Sequence, residues 1–379
     1  MRLSAETEIL DPTDESFFSR VLRDFVVVPS QSRCLLITHL LPDRPTFIHA
    51  IQSVFASVRV VAIPYSLDQE TLTRLRRYRS VDTPSLEELE SHSWTSDLLG
   101  SECQLGQTVV VEIGGYLAHC ASMPDSETLD NFLGAVEDTA GGHRRYAEKP
   151  LAVPVLSAAN SPLKIAEDAL VGTSILFSTE RMLRSKGMIL NGIHLAVLGF
   201  GKIGESTARE ARQRGAYVTV HDPDPIAAMR AIAAGFHVAE RRDALSRARV
   251  IVGTTGYSSV ELDDLDYVRD ETFLVSGSSR WVEYELIRHL AGASTGRLRP
   301  IQIPMGRAWL VDAGLPINFH DAAEVGPTLR GVQAELVVAA SRVATGAVAP
   351  GLGEMTLTDR RRIAHIWLDV YGQTARGTG

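Results

Sequence analysis

Short apolar runs alternate with stretches of helical spacing through the first half of the chain. Cys34–Thr38 and Val58–Ile63 read as buried strands, while Pro45–Ala56 and the charged stretch Leu67–Tyr78 carry helical spacing. The valine-rich run Thr108–Glu112 stops just before Gly114-Gly115, a strand opening into a loop. Pro150 and Pro154 bracket another apolar run, Leu151–Leu156, and a long helical stretch follows over Ala166–Ser185. Strands alternating with helices predict a parallel sheet covered on both faces. Ligands on such sheets lie beyond the carboxyl ends of the strands, so the Gly114-Gly115 loop is expected at a binding edge. Lys186-Gly187 and Asn191-Gly192 then punctuate the chain and mark an expected domain boundary. From His194 the pattern restarts as strand, glycine-rich turn, helix and strand. No internal repeat of fixed period is visible, and Thr374–Gly379 reads as a frayed tail.

Composition narrows the function classes. The 379 residues carry a formal charge of -8, which argues against a nucleic-acid partner, because phosphate binding needs clustered Lys and Arg. The short basic clusters Arg74–Arg79, Arg144-Arg145 and Arg360–Arg362 read as solvated helix faces. Cys34, Cys103 and Cys120 have no CxxC spacing, and the eleven histidines form no HxxxH pair, so neither a disulfide framework nor a metal is implied. No apolar run is long enough to span a membrane, and Met1–Asp11 lacks the apolar core of a secretion signal. The expectation is a cytoplasmic protein with a small-molecule substrate.

The central motif is Leu195-Ala-Val-Leu-Gly199-Phe-Gly201-Lys202-Ile203-Gly204. GxGxxG alone is a weak signal, but here it follows an apolar strand and opens a helix, Glu205–Arg214. Gly199 suits the tight turn, Gly201 lets the backbone approach a pyrophosphate, and Gly204 permits close helix–strand packing. The helix N-terminus then offers free N–H groups to the phosphates. A second strand, Tyr217–Val220, leads to Asp222, where the fold places a carboxylate for the adenosine ribose; Asp224 is the near alternative. A carboxylate there favours NAD over its 2′-phosphorylated form. Thr254, Thr255 and Gly256 follow a fourth strand, and Ser276 lies at the end of a fifth, both in loops expected around the cofactor.

The wording of these segments resembles the S-adenosylhomocysteine hydrolase family from roughly Thr108 to Ala340. "VLGFGKIGESTARE" and "RGAYVTVHDPDPIAAM" are similar to that family's NAD loop and second strand. "VGTTGYSSVELDDLDYVRDETFLVSGSSRWVEYE" follows its Thr-Thr-Gly loop, and "VPVLSAANSPLKIAEDALVG" resembles the stretch holding its catalytic Lys and Asp. "VEIGGYLAH" and "VEDTAGGHRRY" stand where it has its Asp-Gly-Gly and Glu-Glu-Thr-Thr-Thr segments. The family uses tightly bound NAD to oxidise the 3′-hydroxyl of adenosine transiently, with elimination and water addition between oxidation and reduction.

Carried over by position, the resemblance implies Lys164 and Asp168 as catalytic residues, spaced i, i+4 on one helix face. It implies Asp138 as a substrate carboxylate, Thr139 as a cofactor contact and Asp312 near the nicotinamide carboxamide. Glu112 and His320 are candidate replacements for a substrate carboxylate and an acid/base. The departures are specific. Ser279 stands for the family's His, Ala169 for an Asn, Ile113 and Tyr116 for aspartates, His39 is displaced from the N-terminal His, and "YGQTARGTG" lacks the family's C-terminal Lys/Tyr arm. The chain reads as a divergent member that keeps hydride machinery and lacks residues for elimination and water addition.

The expected architecture is α/β: a substrate domain over 1–187 with part of 316–379, and a Rossmann-type NAD domain over 188–315, with a cleft between them. The leading function is an NAD-dependent enzyme that oxidises a secondary hydroxyl of a nucleoside-like or sugar-like molecule. Two alternatives stay open: a non-catalytic NAD-binding sensor or partner protein, and a 2-hydroxyacid-type dehydrogenase. A homo-oligomer is implied, with a dimer favoured because the family's arm is lost.

Overall fold

A computed structural model describes residues 10–25, 27, 29–122, 130–291 and 296–372, so the expectations for the secretion signal and for the C-terminal tail fall largely or wholly outside the described residues. The chain divides into two compact units, one formed by residues 1–164 and 326–379 and the other by 165–325. Both are α/β with a seven-stranded sheet.

The strands of the first unit are β1 (Ser30–Leu40), β2 (Phe55–Leu67), β3 (Val81–Asp82), β4 (Thr108–Glu112), β5 (Phe132–Glu137), β6 (Pro154–Ser157) and, from the far end of the chain, a strand over Gly351–Gly353. Their spatial order is Gly351–Gly353, β6, β5, β4, β1, β2, β3, and every pairing is parallel. Side chains alternate across a strand, so an apolar run buries both faces only when both are covered. In β1, Cys34 and Leu36 enter one core while Leu35 and Ile37 enter another. Val109 and Val111 of β4 divide from Val110 in the same way. Each such buried aliphatic side chain contributes about 1.5–3 kcal/mol relative to exposure.

The first face is covered by helices Pro12–Asp24, Arg44–Gln52, Thr328–Ala344 and Leu357–Tyr371, through Phe17, Ile48, Val332 and Ile363 among others. Helix His92–Leu105 covers the other face with Leu98, Leu99 and Cys103. The N- and C-terminal segments meet within this unit: the Tyr371 hydroxyl donates to Asp14 at 2.6 Å, and Arg362 pairs with Asp24 at 2.8 Å.

The second unit holds β7 (His194–Leu198), β8 (Tyr217–His221), β9 (His237–Val238), β10 (Val250–Gly253), β11 (Thr272–Ser276), β12 (Leu298–Ile303) and β13 (Gly306–Val311). Their order is β12-β13-β11-β10-β7-β8-β9, parallel except for the β12–β13 hairpin. The same two-faced burial recurs: Leu195 and Val197 face one core, Ala196 and Leu198 the other. Strand order reverses outward from β7, which creates a crevice at the carboxyl ends of β7 and β10 where this fold takes its ligands.

The solvated reading of the basic clusters holds for Arg74, which forms an exposed pair with Glu70, and fails for Arg360. Arg360 is buried and pairs with Glu335 at 2.8 Å and Glu354 at 3.0 Å. Helix Leu357–Tyr371 turns that arginine inward, where a buried guanidinium needs carboxylate partners.

Candidate functional site

In the second unit, β7 ends at Leu198 and the chain turns through Gly199 at φ 95°, a conformation that favours glycine. A Cβ on Gly204 would lie 1.9 Å from the Gly199 carbonyl oxygen, so only glycine lets the helix seat against the strand. Around Gly201 a Cβ would meet nothing within 4 Å, which leaves its backbone open to a ligand. Helix Lys202–Gln213 starts there without a side-chain cap, so the N–H groups of its first turn are available to an anion.

Asp222 is fixed by the backbone. Its carboxylate accepts the N–H of Phe200 at 2.6 Å and that of Asp224 at 2.9 Å. Asp224, the alternative ribose acid, instead caps helix Pro225–Ala233 by accepting the Ile226 N–H at 3.0 Å. A cavity of about 1060 Å³ lies here, with Gly199, Gly201, Asp222, Thr254, Thr255 and Ser259 in its wall. That volume admits a dinucleotide-sized ligand portion. The Thr254 hydroxyl lies within hydrogen-bond distance of the carbonyls of Leu198 and Gly199, at 3.0 and 3.1 Å, and holds the glycine turn against β10.

Other expected cofactor residues stand outside that wall. Lys202 lies 3.5 Å from Asp168, and Ile203 packs against the core. Gly256 donates its N–H to Glu283 at 2.6 Å. Ser276 is buried at the end of β11, its hydroxyl 3.3 Å from the Ser278 carbonyl. Both oxygens of Asp312 accept from Arg297 at 2.8 Å, so its carboxylate is committed to an ion pair. His320 is exposed on the short helix Ile317–Asp321.

The first unit gathers a second set of groups at the carboxyl ends of its strands. Lys164 Nζ lies 3.1 Å from Asp138 Oδ1, both side chains only 11% exposed. His39, at the end of β1, holds Ser66 through Nδ1 at 2.5 Å. Burial, reinforced by the positive charges of Arg44 and Lys164 and opposed by Asp43, lowers its pKa to about 3, so it is neutral in the fold. Lys164 and His39 therefore belong to one electrostatic neighbourhood, which sequence spacing did not reveal.

Glu112 turns inward. It accepts N–H bonds from Tyr116 at 2.8 Å and Leu117 at 3.2 Å, and the Tyr146 hydroxyl. Its oxygens hold the loop after β4, which explains a carboxylate one place ahead of the expected position. Glu137 does the matching work and was missed from sequence. It accepts from Gly114 at 3.0 Å, Gly115 at 2.9 Å and both the N–H and hydroxyl of Thr139, at 2.6 and 2.7 Å. Burial, with the charge of Glu112 adding to it, pushes its pKa up. Thr139 itself caps helix Ala140–Ala147 and belongs to this unit. Among the described residues, no group of three or more His, Cys, Asp or Glu side chains is arranged to hold a metal, and no helix is long and apolar enough to cross a membrane.

Residues 174–285 match the family of the S-adenosyl-L-homocysteine hydrolase NAD binding domain. The adenosylhomocysteinase of Thermotoga maritima is 28% identical over 179 residues, 46% of this chain and 44% of that protein, so the chain matches less than half the length of this relative. Among solved structures, a dipicolinate synthase from Bacillus halodurans is similar at a TM-score of 0.40 and 15% identity, covering 65% of this chain and 82% of that one. A phosphoglycerate oxidoreductase from Vibrio cholerae gives 0.40 and 15%, covering 73% and 82%. The glycine turn, the uncapped helix and the fixed Asp222 fit the cofactor that the matched domain binds. Residues 174–285 thus form a Rossmann-type NAD-binding domain, adenosylhomocysteinase-like in sequence, and NAD is the cofactor of the chain.

Proposed function

We propose that the chain is an NAD-dependent enzyme that oxidises a secondary hydroxyl of a nucleoside-like or sugar-like small molecule, with the first unit binding the substrate. The observation that carries this reading is the buried Lys164–Asp138 pair at the carboxyl edge of the first sheet, in a chain that also holds an adenosylhomocysteinase-like NAD domain. Bound NAD supplies the hydride acceptor. After giving its own proton to solvent, Lys164 takes the proton leaving the substrate hydroxyl, and the Asp138 carboxylate at 3.1 Å steadies the ammonium that is restored. His39 stays neutral and so presents an imidazole rather than a second cation beside the amine.

The reading is tested by mass spectrometry of the purified protein for bound cofactor, repeated after incubation with adenosine and with S-adenosylhomocysteine. NADH appearing with either ligand in the unaltered protein, and not in Lys164→Ala, is the expected result. Retained NAD that stays oxidised with nucleosides and sugar alcohols alike would turn the assignment toward a non-catalytic NAD sensor. Ser279 and Ala169, which stand where the family has a His and an Asn, make that the reading to exclude.

A further inference from the structure

One buried carboxylate near the cofactor cavity has no part in the hydride chemistry. Glu283 is fully buried on the short helix Val282–Tyr284, after β11. It accepts the Gly256 N–H at 2.6 Å, the Thr255 hydroxyl at 2.8 Å and the Ser259 hydroxyl. The Ser278 side chain donates to it as well. Thr255, Gly256 and Ser259 lie in the loop after β10, and Ser278 lies in the loop after β11. Both loops leave the sheet at its carboxyl edge, and Thr255 and Ser259 stand in the wall of the 1060 Å³ cavity while Glu283 does not. A backbone link repeats the tie, with the Ser259 N–H donating to the Glu283 carbonyl at 2.9 Å.

We propose that Glu283 is a positioning residue for NAD: it gathers the loops after β10 and β11 onto one carboxylate and so sets the wall against which the dinucleotide lies. This rests on the assignment of NAD to the second unit. Burying a carboxylate is costly unless its oxygens are satisfied. Here the donors that satisfy it come almost entirely from residues that form or flank the cavity. Burial pushes its pKa up, and the four donors oppose that shift. Removing the acceptor would strand the Gly256 N–H and three hydroxyls, so the loops would rearrange to find other partners.

The test is calorimetric titration of NAD into the NAD-stripped full chain, well below its unfolding temperature, for Glu283→Gln, Glu283→Ala and Tyr284→Phe. In Gln the side-chain oxygen can keep the Gly256 N–H while the hydroxyls turn to accept from its amide, so its Kd is expected within about threefold of the unaltered protein. Ala is expected to weaken NAD about tenfold or more. Tyr284→Phe is the control for buried-site damage alone. Its hydroxyl bonds strand backbone, the carbonyls of Ile251 and Val275 at 3.1 Å each and the backbone of Gly253, and touches no loop side chain, so it should lower thermal stability and leave Kd unchanged. Equal Kd in Ala and the unaltered protein would overturn the proposal. So would a loss in Tyr284→Phe as large as that in Ala, because the effect would then follow stability and not the loops. Failure of the unaltered protein to bind NAD would instead remove the cofactor assignment, and this proposal with it.

Discussion

Converting Lys164 to Met removes the cation within ion-pair distance of Asp138 and keeps the apolar stem. At 3.1 Å, and at the effective dielectric of about 20 that suits protein sites, the pair's attraction is about 5 kcal/mol before desolvation is subtracted. Breaking a buried pair by removing one partner typically costs about 3–5 kcal/mol, since the other charge stays buried. The charge of Asp138 adds to the burial that pushes the pKa of Glu335 up, while Arg360 at 2.8 Å opposes that rise, so Glu335 keeps its own partner when Lys164 is lost. The expectation is about 3 kcal/mol for Lys164→Met, a similar loss for Asp138→Asn, and a double variant more stable than their sum by about 2 kcal/mol. Two compact units make a single unfolding midpoint ambiguous. Hydrogen exchange read at the amides of β4 and β5 localises the effect to the first unit. Additivity of the two variants within about 0.5 kcal/mol would refute the buried-pair argument.

Other consequences are as direct. His39 is held neutral, so the first unit should lose stability as pH falls from about 6.5 toward about 3, with a slope approaching 1.4 kcal/mol per pH unit; His39→Gln should flatten the acid limb of the exchange profile. The sign follows because the unfolded chain takes up the proton that the folded one refuses. Gly204→Ala forces a Cβ to within 1.9 Å of the Gly199 carbonyl and should both cost about 1–3 kcal/mol in urea unfolding and weaken NAD in calorimetry. Arg360→Met strands Glu335 in the first core and should destabilise that unit by about 3 kcal/mol, measurable as faster exchange in helix Thr328–Ala344, where an exposed arginine would change little.

The parallel strands that face core on both sides were the most legible part of the sequence. β1, β2 and β4 announced themselves because continuous apolar runs arise when both faces are covered. The glycine loop and Asp222 were legible because their spacing is dictated by a ligand's dimensions. β5 was not. Gly134 interrupts it, and that glycine is there because a Cβ would meet the Pro154 carbonyl at 2.3 Å, a contact set by a neighbouring strand. Helix Thr328–Ala344 is buried on nearly all sides, so it lacks the polar face by which a surface helix shows its period. The punctuation at Lys186-Gly187 lies within the second compact unit, in the link from helix Pro162–Arg184 to β7, while the units divide inside that helix at Lys164. Glu137 and Glu283 carry no motif because their partners are backbone N–H groups and hydroxyls, which any loop sequence can provide. Arg360 misled for the converse reason, since charge composition does not reveal which way a helix is turned.

The first unit is assembled from two stretches of chain separated by 161 residues that fold elsewhere. On a ribosome, β1 through β6 emerge early, yet helix Thr328–Ala344, the Gly351–Gly353 strand and the Tyr371 that binds Asp14 arrive only after the whole second unit. The NAD-binding unit is continuous and has all its strands in hand first. The open flank of β6 and the bare faces of Leu36 and Val111 must meanwhile wait, which makes the interval before residue 326 the time of greatest exposure to aggregation. Synthesis order thus reverses chain order: the unit encoded second is completed first, and the one begun first is closed last.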